Sequence, residues 1–361
     1  MSGESTVNDD LGYPIVVGGE LRAELAAFAR RHERPSVVIC DANRHVRAIA
    51  ATTAAAMGSP EVLPFALGER RKSLSTVERV LDALVTAGVE RSAIVVGVGG
   101  GVAADLFGFA CATYMRGIRY VHVATSLVAM VDAAIGGKTG VDLRGGKNLA
   151  GCFRDPIGVF CAIASLNTLP RAALREGLAE IVKAAIIEGG DFFDSLEELA
   201  PHSFSHWPWA SVVEAAMKVK TMTVADDRLE AGAREVLNLG HTFAHAIERA
   251  SRYAIAHGAA VAIGLRAAGL LALRTGRFSE SEHLRVLTLL TLLGLPLRTT
   301  IGSDEILAAM ESDKKRRRGR LRFVLPRAIG DVEYGVECPP RSVRAVLARL
   351  GEEPERFRAR R

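Results

Sequence analysis

The chain has 361 residues, 49% hydrophobic and 24% charged, the proportions of a folded globular protein, and at roughly 150 residues per domain it predicts two domains. That excludes a disordered or fibrous chain, and five scattered cysteines (Cys40, Cys111, Cys152, Cys161 and Cys338) with no CxxC spacing exclude a disulfide framework or a thiolate zinc site. The net charge of +5 is local, because six positive charges fall between Lys314 and Arg320; such a run is either a solvated surface or, more sharply, a phosphate or nucleic-acid contact.

The opening MSGESTVNDD is polar and acidic rather than basic then apolar, so no export signal and cytoplasmic residence are expected. Asp132 and Arg266 interrupt the richest apolar stretches, which argues against a membrane partner. YPIVV ending at Val17, SVVIC (36–40), AIVVGV (93–98), RYVHVAT (119–125) and IGVFCAI (157–163) are short β-branched runs that read as strands buried on both faces, hence a parallel α/β domain over residues 1–170. Between them Val77, Val80, Leu81, Leu84 and Val85 recur at helical spacing. Ser75 with Glu78 suggests a capping box at the start and Gly88 a stop.

GVGGGVAAD (97–105) follows a strand and enters a helical stretch. Glycines there admit a ligand to the backbone, and the helix amides suit a phosphate or pyrophosphate, although the pattern is not GxGxxG and a tight turn is the plainer alternative. In TSLVAMVDAAIGGKTGVDLRGGKN (125–148), Asp132 lies in apolar surroundings and requires a cation, with Lys138 and Lys147 as candidates. Both lysines adjoin glycine pairs, so this segment either holds a phosphorylated ligand or makes two ordinary surface turns.

After Pro170 the texture becomes alanine- and leucine-rich, predicting a mostly α-helical second domain over 171–361. RLRFVLP and DVEYGVE near its end read as two short strands and PRSVRAVLARLG as a last helix. His241, His245 and His257 cluster in sequence, and His241 and His245 share a helix face by their i, i+4 spacing; with Glu180 in an apolar segment they suggest a divalent metal held by nitrogen and carboxylate. No HExxH motif is present, against a zinc protease. Arg234, Asn238 and His241, at i, i+4 and i+7, would present a cation, an amide and an imidazole on one face, suited to an anionic, hydroxylated small molecule. Lys183 follows Glu180 by three on one face, an ion pair worth less than about 1 kcal/mol if exposed. Trp207 and Trp209 fit a packed turn between helices.

Taken together, GGGVAADLFGFACATYMRG, VDAAIGGKTGVDLRGGKN, GLAEIVKAA, EAGAREVLNLGHTFAHAIE, HGAAVAIG and DKKRRRGRLRFVLP, in that order from about Tyr13 to Leu350, resemble the 3-dehydroquinate synthases within the sugar phosphate cyclases. The resemblance implies an α/β domain whose parallel sheet binds NAD and a helical domain carrying a divalent metal, zinc or alternatively cobalt, held by Glu180, His241 and His257. His245 matches a position that contacts substrate and assists proton transfer, so the resemblance overrides the helix-face pairing of His241 with His245. Lys138, Asn148, Lys183, Lys220, Arg234, Asn238 and Lys314 match positions gripping the carboxylate, hydroxyls and phosphate of a small phosphorylated sugar acid. Asp132 stands beside both ligands. Arg116 matches one reaching a neighbouring subunit's site, which implies a homodimer. For NAD, Asp41, Glu69 and Lys72 match ribose contacts and Gly99, Gly100 and Gly101 the pyrophosphate loop. Asp105, Thr125, Ser126, Asp132, Lys138 and Lys147 match the nicotinamide half.

The implied reaction oxidises the C5 hydroxyl of a heptulosonate phosphate with NAD as hydride acceptor, which acidifies C6 and permits phosphate loss. Return of the hydride, ring opening and an intramolecular aldol step then close the carbocycle, and NAD is recycled. Dinucleotide and metal are expected to meet at one sugar carbon in a cleft between the two halves. The chain departs from the family pattern at Ala104, Ala124, Ser126, Asp142, Ala184, Ala185, Arg228 and Ala259. A paralogue acting on an amino-substituted heptulosonate would share such departures, whereas cyclases making valiolones or deoxyinosose usually lose GGKTG or the phosphate-side lysines, which this chain keeps. The rivals are an NAD- and metal-dependent alcohol dehydrogenase and a non-catalytic scaffold or nucleic-acid binder.

Overall fold

The computed structural model describes residues 6–316 and 321–354, with side chains over 7–312 and 321–354. The chain divides into two compact units: one runs to Leu174 and takes in Pro208–Ala225, the other comprises Arg175–Trp207 and the residues from Asp226 onward.

In the first unit the chain runs β1 (Thr6–Asn8), β2 (Ile15–Gly18), α1 (Arg22–Arg31), β3 (Val37–Asp41), α2 (Arg44–Ala56), β4 (Glu61–Phe65), α3 (Leu74–Thr86), β5 (Ile94–Gly99), α4 (Gly101–Thr113), β6 (Arg119–Ala124), β7 (Lys138–Leu143), β8 (Gly146–Phe153) and β9 (Val159–Ala162). Seven strands form one sheet in the order β1-β2-β9-β6-β5-β3-β4, parallel except for β1, which pairs antiparallel with β2. Alternation builds two cores. Val37, Ile39 and Val95 pack with Val80 and Leu84 of α3 and Phe107 of α4, while Val38, Cys40 and Val96 pack with Phe28 of α1 and Ala50 and Ala54 of α2. A strand covered on both faces has no polar side to show, which is why its sequence is continuously apolar.

The expected helix after β4 is α3, but it starts at Leu74 with Ser73 at its N-cap and no side-chain cap. The expected capping box is not formed, because Ser75 lies inside the helix. Gly88 follows its end in the left-handed region (φ 65°). Of the glycine pairs beside Lys138 and Lys147, Gly136 and Gly137 are buried and lead into β7, whereas Gly145 lies in the exposed turn and Gly146 opens β8; the two strands form an antiparallel hairpin packed on α4.

The remaining elements are α5 (Arg171–Glu188), α6 (Gly190–Leu199), α7 (Trp209–Asp226), α8 (His241–Ala250), α9 (His257–Arg274), α10 (Glu280–Leu292), α11 (Ser303–Arg316), β10 (Phe323–Ala328), β11 (Asp331–Val336) and α12 (Pro340–Arg349). Of these, α7 belongs to the first unit. In the second unit β10 and β11 form the expected antiparallel pair, and α9, apolar nearly all round, buries Gly258 and every residue from Ala260 to Ala272. Trp207 is buried beside Phe204, ring centroids 5.4 Å apart. Among the described residues no helix is long and apolar enough to cross a membrane.

Candidate active site

The sheet order locates a crevice in the first unit. β4 lies outside β3 while β5 lies on its other side, and α2 and α3 cover opposite faces. The connections therefore diverge between β3 and β5, the switch point at whose carboxyl ends α/β sheets bind ligands. The residues there are Asp41, which ends β3, and Gly99, Gly100 and Gly101, which lead from β5 into α4. A Cβ on Gly99 would fall 2.4 Å from Ala103 Cβ and 3.8 Å from Asp41 Cβ, so this tight turn admits no side chain. It opens on the N-terminus of a 13-residue helix, whose partial positive charge suits a pyrophosphate.

Beside it lies a network of ionised groups. Lys72, buried, pairs with Asp105 and donates to Asn148 Oδ1 at 2.6 Å. Burial, only partly offset by Lys72, pushes the Asp105 carboxyl up to about 6. Asn148 sits in the left-handed region (φ 53°) and its backbone N–H donates to Asp142 Oδ1 at 2.8 Å. Lys147 pairs with Glu69 at 2.6 Å. Asp132 finds its cation in Lys220 of α7, 2.6 Å away. Lys138 and Lys147 are the candidates close along the chain, whereas 88 residues separate Asp132 from Lys220, beyond any local pattern. Thr125 N–H donates to the Gly99 carbonyl at 2.9 Å, Ser126 follows directly, and Lys138 opens β7, half-buried. Arg116 is exposed at φ 68°.

In the second unit Glu180, His241 and His257 each offer one ligand atom, all within 4.8 Å of one another. Glu180 Oε1 stands 3.2 Å from His257 Nε2 and 3.5 Å from His241 Nε2. Its Oε2 is 2.5 Å from Lys183 Nζ, and both side chains are buried, so this is not the exposed pair of helix surfaces. Burial opposes the charge on Glu180, but Lys183 and His241 hold its carboxyl well below the usual range. Burial likewise opposes the His257 imidazolium, yet Glu180 and Glu248 push its pKa up to about 10; a bound cation competes with that proton. The His245 ring lies 5.3 Å from that of His241.

Arg234 and Asn238 do not share a helix with His241. They lie on a 3-10 turn, Ala233–Asn238, and α8 begins afresh at His241 after Gly240 at φ 78°. A Cβ there would also meet Leu265 N at 2.9 Å, so the break is where α9 presses on the chain. Arg234 is fully buried and donates from Nη1 to the Arg228 carbonyl at 2.7 Å. Asn238 Nδ2 donates to Glu230 Oε1 at 3.1 Å. Asp227 accepts backbone N–H groups from Ala231, Gly232 and Arg234 and folds this loop around itself. The side chains of the basic run from Lys314 to Arg320 lie outside the described residues.

Family models for the N-terminal and C-terminal parts of 3-dehydroquinate synthase match residues 62–176 and 177–316. An Acidithiobacillus ferrooxidans 3-dehydroquinate synthase is 39% identical over 352 residues, 94% of this chain and 96% of that one. The chain belongs to the 3-dehydroquinate synthase family. The Mycobacterium leprae family member is 39% identical over 322 residues, 88% of this chain and 89% of its own. Among solved structures, 2-epi-5-epi-valiolone synthase from Streptomyces hygroscopicus subsp. jinggangensis, with NAD+ and Zn2+ bound, superposes with a TM-score of 0.85 at 32% identity, covering 97% of this chain and 98% of that one. A 2-deoxy-scyllo-inosose synthase complexed with carbaglucose-6-phosphate, NAD+ and Co2+ follows at 0.82 and 25%, covering 93% and 96%. A putative alcohol dehydrogenase from Ralstonia eutropha, at 0.64 and 16% identity over 97% of each chain, shares the fold alone.

Three residues at these sites escaped the sequence reading as participants. Glu248 stands 3.4 Å from His257 Nδ1, Glu176 accepts the Gly258 N–H at 2.8 Å, and Asp142 holds Asn148. For Glu248 a signal existed: it follows His241 by seven and His245 by three, placing a carboxylate on the helix face that carries both histidines.

Proposed function

We propose that this chain converts a 3-deoxy-heptulosonate 7-phosphate into 3-dehydroquinate and phosphate, as a homodimer in the cytoplasm. The carrying observation is the convergence of Glu180, His241 and His257. Ligands about 2.0–2.1 Å from a tetrahedral zinc ion lie about 3.3 Å apart, and the Glu180 oxygen stands 3.2 and 3.5 Å from the two histidine nitrogens. One carboxylate with two imidazoles fits zinc or cobalt and leaves a coordination position for substrate.

When bound, NAD supplies a hydride acceptor and the metal supplies Lewis acidity at the substrate oxygen. The chain's own residues do the rest. Asp41, Glu69 and Lys72 hold the dinucleotide ribose, Gly99, Gly100 and Gly101 the pyrophosphate, and Asp105, Thr125, Ser126, Asp132, Lys138 and Lys147 the nicotinamide half. Lys138, Asn148, Lys183, Lys220, Arg234, Asn238 and Lys314 bind the substrate's charged and hydroxyl groups, and their cations stabilise negative charge as phosphate departs. His245, beside His241, moves a proton. Arg116 serves the neighbouring subunit's site.

Asp142, where the family has Asn, does not argue for a different substrate, since the oxygen it offers to Asn148 N–H is one that an asparagine also carries. Protein supplied with NAD and zinc should release inorganic phosphate from the unsubstituted heptulosonate phosphate without net NADH accumulation. Release only from the amino-substituted analogue, or steady NADH accumulation, would replace this reading with the paralogue or the dehydrogenase.

A further inference from the structure

We propose that Glu248 is a positioning residue for the metal centre, fixing His257 so that Nε2 is its ligating atom; this rests on the reading of Glu180, His241 and His257 as a metal site. Glu248 is 1% exposed, on a helix whose buried residues include Phe243, Ala244, Ala246 and Ile247. A carboxylate there costs several kcal/mol of desolvation unless a charged or hydrogen-bonding partner answers it. Its Oε1 stands 3.4 Å from His257 Nδ1, while the opposite nitrogen of that ring, Nε2, faces Glu180 at 3.2 Å.

The chain is bent to make this meeting. Between α8 and α9 the Glu248 carbonyl accepts the Tyr253 N–H at 2.7 Å and the Ser251 hydroxyl at 2.9 Å, and Arg252 and Tyr253 both take positive φ, 52° and 61°. Two consecutive side-chain-bearing residues in that region are held against their preference. The turn so formed returns the chain and sets residue 257 opposite residue 248. His241 is treated differently: its Nδ1 lies 3.2 Å from the Leu239 carbonyl. One imidazole is thus steered by a neutral backbone oxygen and the other by a carboxylate, which both orients the ring and raises its basicity as a ligand.

The test measures affinity for the metal alone, zinc and cobalt by chelator competition, in wild type, Glu248→Gln and Glu248→Ala, with NAD titration and far-ultraviolet circular dichroism as controls. Loss of such a partner lowers metal affinity by about 10–100-fold; Glu248→Gln is expected near the lower end and Glu248→Ala near the upper, with NAD affinity unchanged. If the alanine variant does not fold, the near-isosteric glutamine variant carries the test. A folded Glu248→Gln protein with wild-type metal affinity overturns the proposal and leaves the metal site standing. Failure of the wild type itself to take up either ion removes the metal reading, and this inference with it.

Discussion

His122 stands on β6 with 4% of its surface exposed, packed across from Tyr120 at 5.1 Å between ring centroids. Burial pushes its imidazole down from 6.5 to about 4. Between those values the unfolded chain holds a proton that the folded chain does not, so stability rises with pH across that window and is lost on acidification from 6.5 towards 4. The shift corresponds to about 3 kcal/mol. A His122→Asn variant should lose less stability than wild type when urea unfolding is compared at pH 7 and pH 4.5; parallel losses would show that this ring does not set the slope. At Asp142 the decisive group is one acceptor oxygen. Asp142→Asn should bind NAD with near wild-type affinity, whereas Asp142→Ala, which frees Asn148 and through it Lys72, should weaken binding by about 1 kcal/mol, roughly fivefold. Equal affinities in a calorimetric titration of the two variants would discard the role.

Arg266 ties elements together. It is fully buried on α9, and its guanidinium donates to the Leu297 carbonyl at 2.7 Å, to Arg349 at 3.1 Å and to Glu352 at 3.2 Å. A cation facing the carbonyls at the end of α12 satisfies groups that the helix leaves open and complements its dipole. Arg266→Met should cost more than about 3 kcal/mol and release the α12 amides to hydrogen exchange before the rest of the second unit; unchanged protection of α12 would contradict it. The sequence reading took Arg266 only as a break in an apolar stretch. The elements legible directly in the sequence are β2, β3, β5, β6 and β9, apolar on both faces between two helical layers, α3 and α12 by their amphipathic spacing, α5, α7, α8 and α9 by their alanine- and leucine-rich runs, and the short pair β10 and β11. Not legible were β4, which contains Pro64 and buries only Phe65 of its five residues, and the β7–β8 hairpin, whose Gly140 and Gly151 answer close packing rather than strand propensity. The break at Gly240 was hidden because the i, i+4, i+7 spacing of Arg234, Asn238 and His241 imitates a helix that another helix interrupts. Metal-type residues announce themselves by chemistry. An outer partner such as Glu176 does not, since an isolated acid in a helical sequence reads as a solvated face.

At the scale of the whole molecule, the two groups proposed to hold NAD and the metal are built from separate parts of the chain. Asp41, Lys72, Gly99–Gly101, Asp105, Asp132 and Lys220 all belong to the first unit, and Glu180, His241, Glu248 and His257 all belong to the second. The hydrogen bonds and ion pairs described for each group close within its own unit. Lys72 is answered by Asp105 and Asn148, and Glu180 by Lys183 and the two histidines. The expectation at this scale is that order in each group does not depend on a ligand held by the other. His257→Ala should lose zinc and phosphate release while keeping NAD affinity within about twofold, a difference under about 0.5 kcal/mol. Lys72→Ala should show the converse, with weakened NAD binding and intact zinc uptake. Chelator treatment of wild type should reproduce the first pattern and zinc should reverse it. Loss of NAD binding on metal removal, tracked by calorimetry, would show that the first unit's site depends on the second's, and the partition drawn from the residues would not hold.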